Sequence, residues 1–264
     1  MKRIGSSNRI MPLDVDDLDM MALHQIVPGA AFPALDVPSL ALAFATDSEG
    51  LEHLATEVEA VVATLRRQAD SAEELQRTCT ALASLTSGEA ENRIRAGTAG
   101  AAEALMAAMH GHLGHSGVQA RACTALAALT VGSTENSTLA IAAGAVTSLV
   151  VAMRGHSESV EVQGNALRAL SSILISGSKQ AIMQAVDAGA VEAVATAMRT
   201  HSNNASVQER ACLSLYTLTY SNAANKSRAV NAGAKVSAGA ALIAHSRNKK
   251  VLKEARGLLQ ELRL

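Results

Sequence analysis

An all-α solenoid of about four and a half three-helix repeats is the fold class that this sequence predicts, because residues recur at one fixed period. Gly-Ala appears at Gly100-Ala101, Gly144-Ala145, Gly189-Ala190 and Gly233-Ala234, at steps of 44, 45 and 44 residues. Met109, Met153 and Met198 keep that step, as do His112, His156, His201 and His245. Val-Gln recurs at Val118-Gln119, Val162-Gln163 and Val207-Gln208, each time opening an Ala/Cys/Leu-rich stretch. A period in the forties marks a helical unit that completes its core only by stacking on its neighbours. Composition agrees. The chain is 48% hydrophobic with only 2% aromatics and no Trp. Alanine, the strongest helix former, also lets helices approach closely.

Taken in order, residues 1–50 do not fit the repeat. All four prolines fall there, at Pro12, Pro28, Pro33 and Pro38. Residues 13–27 could form one short helix, with Asp14, Asp16, Asp17 and Asp19 favourably placed near its start. The rest reads as an irregular acidic arm. The repeat domain is expected over 51–264. It divides into a partial capping repeat (51–99), full repeats at 100–143, 144–188 and 189–232, and a partial C-terminal repeat (233–264). In the first, Leu54, Val58, Val61, Val62 and Leu65 recur at helical spacing. In a full repeat, a short helix ends at the glycine, where a left-handed C-cap is needed. A second helix carries Val146, Leu149, Val150 and Met153 on one face. The longest, third helix carries Val162, Ala166, Leu167, Leu170, Ile173 and Leu174. The last helix ends in Leu258, Leu259, Leu262 and Leu264, and some of that apolar surface is expected to be exposed.

Val-Gln-x-x-Ala-x-x-Ala-Leu-x-x-Leu, matched at residues 118–129, 162–173 and 207–218, follows a short helix that ends in Gly-Ala. This pattern resembles the armadillo repeat over about four-fifths of the chain. The Met-[His/Arg]-x-His ending of the second helix resembles armadillo arrays of protist and algal families. The resemblance implies a right-handed α-solenoid, not an enzyme, that binds protein partners along a concave groove lined by its third helices. Importin-alpha-like members place a Trp and an Asn there, four residues apart. This chain has Thr80 and Ser84, Thr124 and Ala128, Arg168 and Ser172, Leu213 and Thr217, and Gly257 and Glu261 at those positions.

The same face carries Arg77, Arg121, Asn165 and Arg210 in one register. Spacing of i, i+3, i+7 keeps these positions together. Arg77, Thr80, Ser84, Arg121, Thr124, Arg168, Ser172, Arg210 and Thr217 are therefore the candidate partner-binding residues, and arginine suits carboxylate recognition. Beta-catenin resembles this in holding extended acidic partners in a basic groove. The partner expected here is an extended, acidic protein segment. The alternative is a structural subunit that contacts its assembly through its ends and arm. Charge is uneven: residues 11–60 hold ten acidic residues and no Lys or Arg, whereas 226–264 hold nine Lys/Arg against Glu254 and Glu261. The arm aspartates are expected to dock on the groove or on a basic C-terminal repeat, their own or a neighbour's.

Other chemistry is not visible. A formal net charge of −1 favours neither nucleic acid nor membrane surface, and no apolar run has the length of a membrane span. P-loop, GxGxxG, HExxH and GxSxG motifs are absent. The histidine ladder is expected to cap the second helices, since stacked repeats hold equivalent residues about 10 Å apart, too far to share a zinc ion. His110, His112 and His115 lack a neighbouring carboxylate or thiolate. No catalytic, cofactor or metal site is assigned. Cys79, Cys123 and Cys212 share one register and read as reduced core residues, which points to a cytoplasmic, reducing compartment.

Overall fold

The computed structural model describes residues 48–67, 71–175 and 179–263, with side chains from residue 57 onward. The arm, and with it Asp14, Asp16, Asp17 and Asp19, lies outside the described residues.

Among the described residues the chain forms fourteen α-helices and no strand. The first repeat contributes α1 (Ser48–Arg66) and α2 (Ala72–Gly88). Three full triplets follow: α3 (Ala90–Thr98), α4 (Ala101–Gly111) and α5 (Ser116–Thr130); α6 (Thr134–Ala142), α7 (Ala145–Gly155) and α8 (Val160–Ile175); α9 (Lys179–Ala188), α10 (Ala190–Thr200) and α11 (Ala205–Thr219). The last triplet is α12 (Ala223–Asn231), α13 (Ala234–Ala244) and α14 (Lys249–Glu261). The third helices α2, α5, α8, α11 and α14 pack side by side in that order.

Each junction is fixed by a specific chemical device. Gly100, Gly144, Gly189 and Gly233 have φ between +80° and +84°, a left-handed conformation that side chains with a Cβ resist. There the chain turns sharply, by 71° between α6 and α7 and by 67° between α9 and α10. The repeated Val-Gln places a buried amide at the other turn. Gln163 Nε2 donates to the carbonyls of Met153 (2.7 Å) and His156 (3.0 Å), and so holds the end of α7 against α8. Gln119 and Gln208 make the equivalent pairs of bonds. A second amide closes the third helix. Asn136 Nδ2 donates to Leu129 O (3.0 Å) and to Arg93 O (2.8 Å) of the preceding repeat. Gly97 makes room for it, since a Cβ there would collide with the Asn136 side chain. Buried carbonyls left unpaired cost about 1–3 kcal/mol each, which is why polar residues persist inside this core.

The core between the layers is aliphatic and continuous from repeat to repeat. Leu105, Leu126, Leu149, Leu167, Leu170 and Ile173 are fully buried, each contributing about 1.5–3 kcal/mol. Cys79, Cys123 and Cys212 are buried free thiols at one register, as expected from the sequence. Burial pushes each up to about 12, so all three stay protonated and inert.

Two expectations are sharpened. The histidines do more than end their own helices. His156 Nε2 donates to Leu113 O (2.8 Å), His201 Nε2 to Ser157 O (2.7 Å) and His245 Nε2 to Ser202 O (2.8 Å). Each reaches the loop of the preceding repeat. The apolar end of the last helix is only in part open: Leu258 and Leu262 turn inward and are fully buried, Leu259 is half-buried and Leu264 lies outside the described residues, while the more exposed apolar residues are Val236 (78%) and Ile243 (81%) on α13.

Candidate partner-binding face

The third helices bury their Val, Ala, Cys and Leu positions between layers, and this fixes what faces outward. Along that outward row, Arg77 and Ser84 are exposed. Thr80, Arg121, Thr124, Asn165, Arg168, Ser172, Arg210, Leu213 and Thr217 are half-buried, because the neighbouring third helix covers one side of each. Ala128 is buried outright.

The arginines have different partners. Arg77 Nη1 pairs with Glu73 Oε1 on its own helix at 3.0 Å. Arg121 Nη2 reaches Glu161 Oε1 on α8 at 3.2 Å. Arg210 Nη1 donates to Gly164 O, also on α8, at 2.9 Å. Arg168 joins no ion pair among the described residues. Burial holds the guanidiniums of Arg168 and Arg210 below their ordinary value, and the charge of Arg168 adds to the shift at Arg210.

The hydroxyls are mostly occupied by their own helices. Thr80, Thr124 and Thr217 donate to Gln76 O (2.7 Å), Ala120 O (2.9 Å) and Leu213 O (3.0 Å). Thr130 and Ser172 share a 2.9 Å bond between neighbouring helices. Asn165 Nδ2 donates to Ala120 O at 3.4 Å. These bonds tie α5 to α8 from the outer side.

Sequence reasoning named Glu261 on this row but missed Glu161 and Glu209. Glu161 lies one turn before Asn165 and Glu209 one turn before Leu213, so helical spacing alone could have placed both on it. Burial pushes Glu209 up, against the opposing pull of Lys250 and Arg210. At the far end Glu261 pairs with Lys226 at 2.8 Å and accepts from Ser221 N at 3.2 Å. On α14, a shallow depression of ≈ 480 Å³ is lined by Lys249, Leu252, Lys253, Arg256, Gly257 and Gln260.

Two further histidines are already engaged. His110 Nε2 bonds Ser148 Oγ at 3.1 Å, and His115 Nδ1 accepts from Val118 N at the start of α5. Among the described residues no group of three or more His, Cys, Asp or Glu is placed to hold a metal ion.

The family model described as LRRK2 ARM repeat matches residues 45–192, more than half of the chain. The chain belongs to this armadillo-repeat family. Solved structures agree on the fold. An engineered protein is 27% identical, with a TM-score of 0.65 over 84% of this chain and 96% of its own. A designed armadillo repeat protein in complex with the peptide (KR)4 is 21% identical, with a TM-score of 0.62 over 84% of this chain and 97% of its own. A structure from work on the cadherin–beta-catenin interaction is 16% identical, with a TM-score of 0.52 over 92% of this chain and 56% of its own. No curated protein matches the sequence. An armadillo-repeat fold is in general a protein-interaction scaffold. Among the described residues no single helix is long and apolar enough to cross a membrane.

Proposed function

We propose that this armadillo array is a non-enzymatic scaffold that holds an extended, acidic protein segment along its third-helix row. The observation that carries the reading is the placement of guanidinium groups on that row, one from each of α2, α5, α8 and α11, at Arg77, Arg121, Arg168 and Arg210. Thr80, Ser84, Thr124, Ser172 and Thr217 lie between them and complete the surface. The peptide in the designed neighbour is basic. The row carries four arginines, and two of its carboxylates, Glu73 and Glu161, are already paired with Arg77 and Arg121, so an acidic rather than a basic segment suits it. A cytoplasmic, reducing setting fits the three free thiols.

The arm extends this reading. Asp14, Asp16, Asp17 and Asp19 would compete for the row, or for Arg247, Lys249, Lys250 and Lys253 at a C-terminal end. Exposed ion pairs are worth only about 0–1 kcal/mol each, so apolar arm residues would have to provide most of the hold.

The test is binding of oligo-glutamate and oligo-lysine peptides to the full chain and to the chain lacking residues 1–50. Selective oligo-glutamate binding that strengthens on deletion and weakens with salt is expected. Equal affinity for both peptides would remove the groove reading. Unchanged affinity on deletion would remove the arm from it. The second reading, a subunit joined through its ends, is favoured by exposed Val236 and Ile243 on α13. It predicts that V236S/I243S abolishes association with a native complex while peptide binding persists.

A further inference from the structure

The row is not electrically uniform, and the non-uniformity has one location. Arg77 and Arg121 are paired with Glu73 and Glu161. Arg168 and Arg210 take part in no ion pair among the described residues, yet both are half-buried. They also lie close to one another. Arg210 Nη1 rests on the carbonyl of Gly164 at 2.9 Å, and Gly164 precedes Arg168 by one helical turn, a separation of about 6 Å on one face. The bond is to the backbone of α8: a Cβ at 164 would stand 3.5 Å from Arg210 Nη1, an ordinary contact, so the guanidinium's position does not depend on glycine. Glu209 faces Arg210 from its own helix without reaching ion-pair distance, and it is itself drawn towards Lys250. Two adjacent cations, partly withdrawn from water and offset only by Glu209, which forms no ion pair with either, repel one another. An oxyanion between them would remove that repulsion and accept from both forks.

Resting on the groove reading above, we propose that Arg168 and Arg210 form a specific anion subsite, at the α8–α11 step, for one side-chain oxyanion of the bound segment. The paired arginines Arg77 and Arg121 then contribute general attraction only, because each must surrender its own glutamate to bind a ligand. Arg210 is pre-set by its bond to Gly164 O, whereas Arg168 makes no hydrogen bond that fixes it among the described residues, so Arg168 is the group expected to close onto the anion. A carboxylate and a phosphate monoester share the required chemistry. The phosphate can accept more bonds and carries the larger charge.

Two measurements test this on the full chain. Affinity for oligo-glutamate is expected to fall on the order of tenfold in R168Q, and by less than about twofold in R77Q. R168Q is the informative variant, since Arg210 also bonds the backbone of α8 and its loss could disturb folding. R210K keeps the charge there, but loses the fork and is expected to bind more weakly. Arginine Nε–H resonances are then followed while adding a neutral Gly/Ser peptide that carries one phosphoserine, one glutamate or neither. Shifts confined to Arg168 and Arg210 support the subsite. Equal shifts with both anionic peptides assign it to oxyanions of either kind, shifts with glutamate alone to carboxylates, and shifts with phosphoserine alone to phosphate. Equal affinity losses in R77Q and R168Q would overturn the subsite while leaving a diffuse basic groove. Oligo-glutamate binding indifferent to all four arginines would overturn the groove reading itself.

Discussion

The second helices of the inner repeats and of the last repeat share one register but differ in chemistry. At the tenth position after the junction glycine stand His110, Arg154, Arg199 and Ile243. The first three reach toward the following repeat: His110 bonds Ser148, Arg154 donates to Gly189 O (3.3 Å) and Arg199 to Ala232 O (2.8 Å). Three positions after the glycine, Glu192 forms a two-pronged pair with Arg228 of the next triplet, and its counterpart in α13 is Val236. The polar bonds across these steps are therefore placed by the repeat itself. Where the register turns apolar, as in α13, the side chains meet water in the described structure.

The comparison can be broken first at the core. Asp at Cys123 or Cys212 buries a carboxylate with no partner, at a cost on the order of 3–5 kcal/mol. In C123D the lesion is central and the whole array is expected to melt together. In C212D the N-terminal triplets should stay folded while the C-terminal ones unfold, because each repeat contacts mainly its neighbours. Hydrogen exchange resolved by repeat separates the two outcomes, and identical profiles would contradict neighbour-only coupling.

The amides come next. N136A frees the carbonyls of Leu129 and Arg93, whereas N225A frees only that of Leu218. Losses of about 2–3 and about 1 kcal/mol are expected in denaturant titrations. Equal losses would mean that the bond to Arg93 O contributes nothing between repeats.

A smaller effect should follow at the tenth position. R199A removes one donor to a backbone carbonyl and should cost about 0.5–1.5 kcal/mol. I243R places a charge on an exposed position and should stay within about 0.5 kcal/mol, while reducing binding of a hydrophobic dye. A large destabilisation by I243R would show that Ile243 is covered in solution.

The smallest effect is electrostatic. Its hydrogen bond from Arg228 holds Glu192 below the ordinary 4.5, an effect larger than the opposing burial. A carboxyl depressed on folding stabilises the native state above its unfolded value and loses that contribution as pH falls through the folded one. Both side chains are more than a third exposed (37% and 43%), so less than about 1 kcal/mol is at stake. The difference in stability between wild type and R228Q should therefore shrink on acidification below about pH 4.5, and a difference that grew would refute the assignment.

The period, the glycine junctions and the cysteine register were legible in the sequence because each follows from spacing within one repeat. Gln163 and Asn136 were visible as marks of that period, but not as clamps, since the carbonyls they serve lie seven and more residues away or in another repeat. The Arg121–Glu161 pair and the reach of His156 depend on the offset between stacked helices, which no single helix encodes. The same applies to α14: Leu258 faces inward because α11 and α13 lie on that side.

The histidine bonds bear on how the array bends. A carbonyl can only accept, so His156, His201 and His245 each hold their proton on Nε2 in these bonds. All three bonds lie on one edge, at the turn between second and third helices, and each joins consecutive repeats at 2.7–2.8 Å. The third-helix row is tied across the first two of these steps, by Thr130–Ser172, Ser171–Ser214 and the bond from Arg210 to Gly164 O. Consecutive repeats there are therefore pinned at two separate seams, and the row is expected to offer a partner a fixed width rather than an adjustable one.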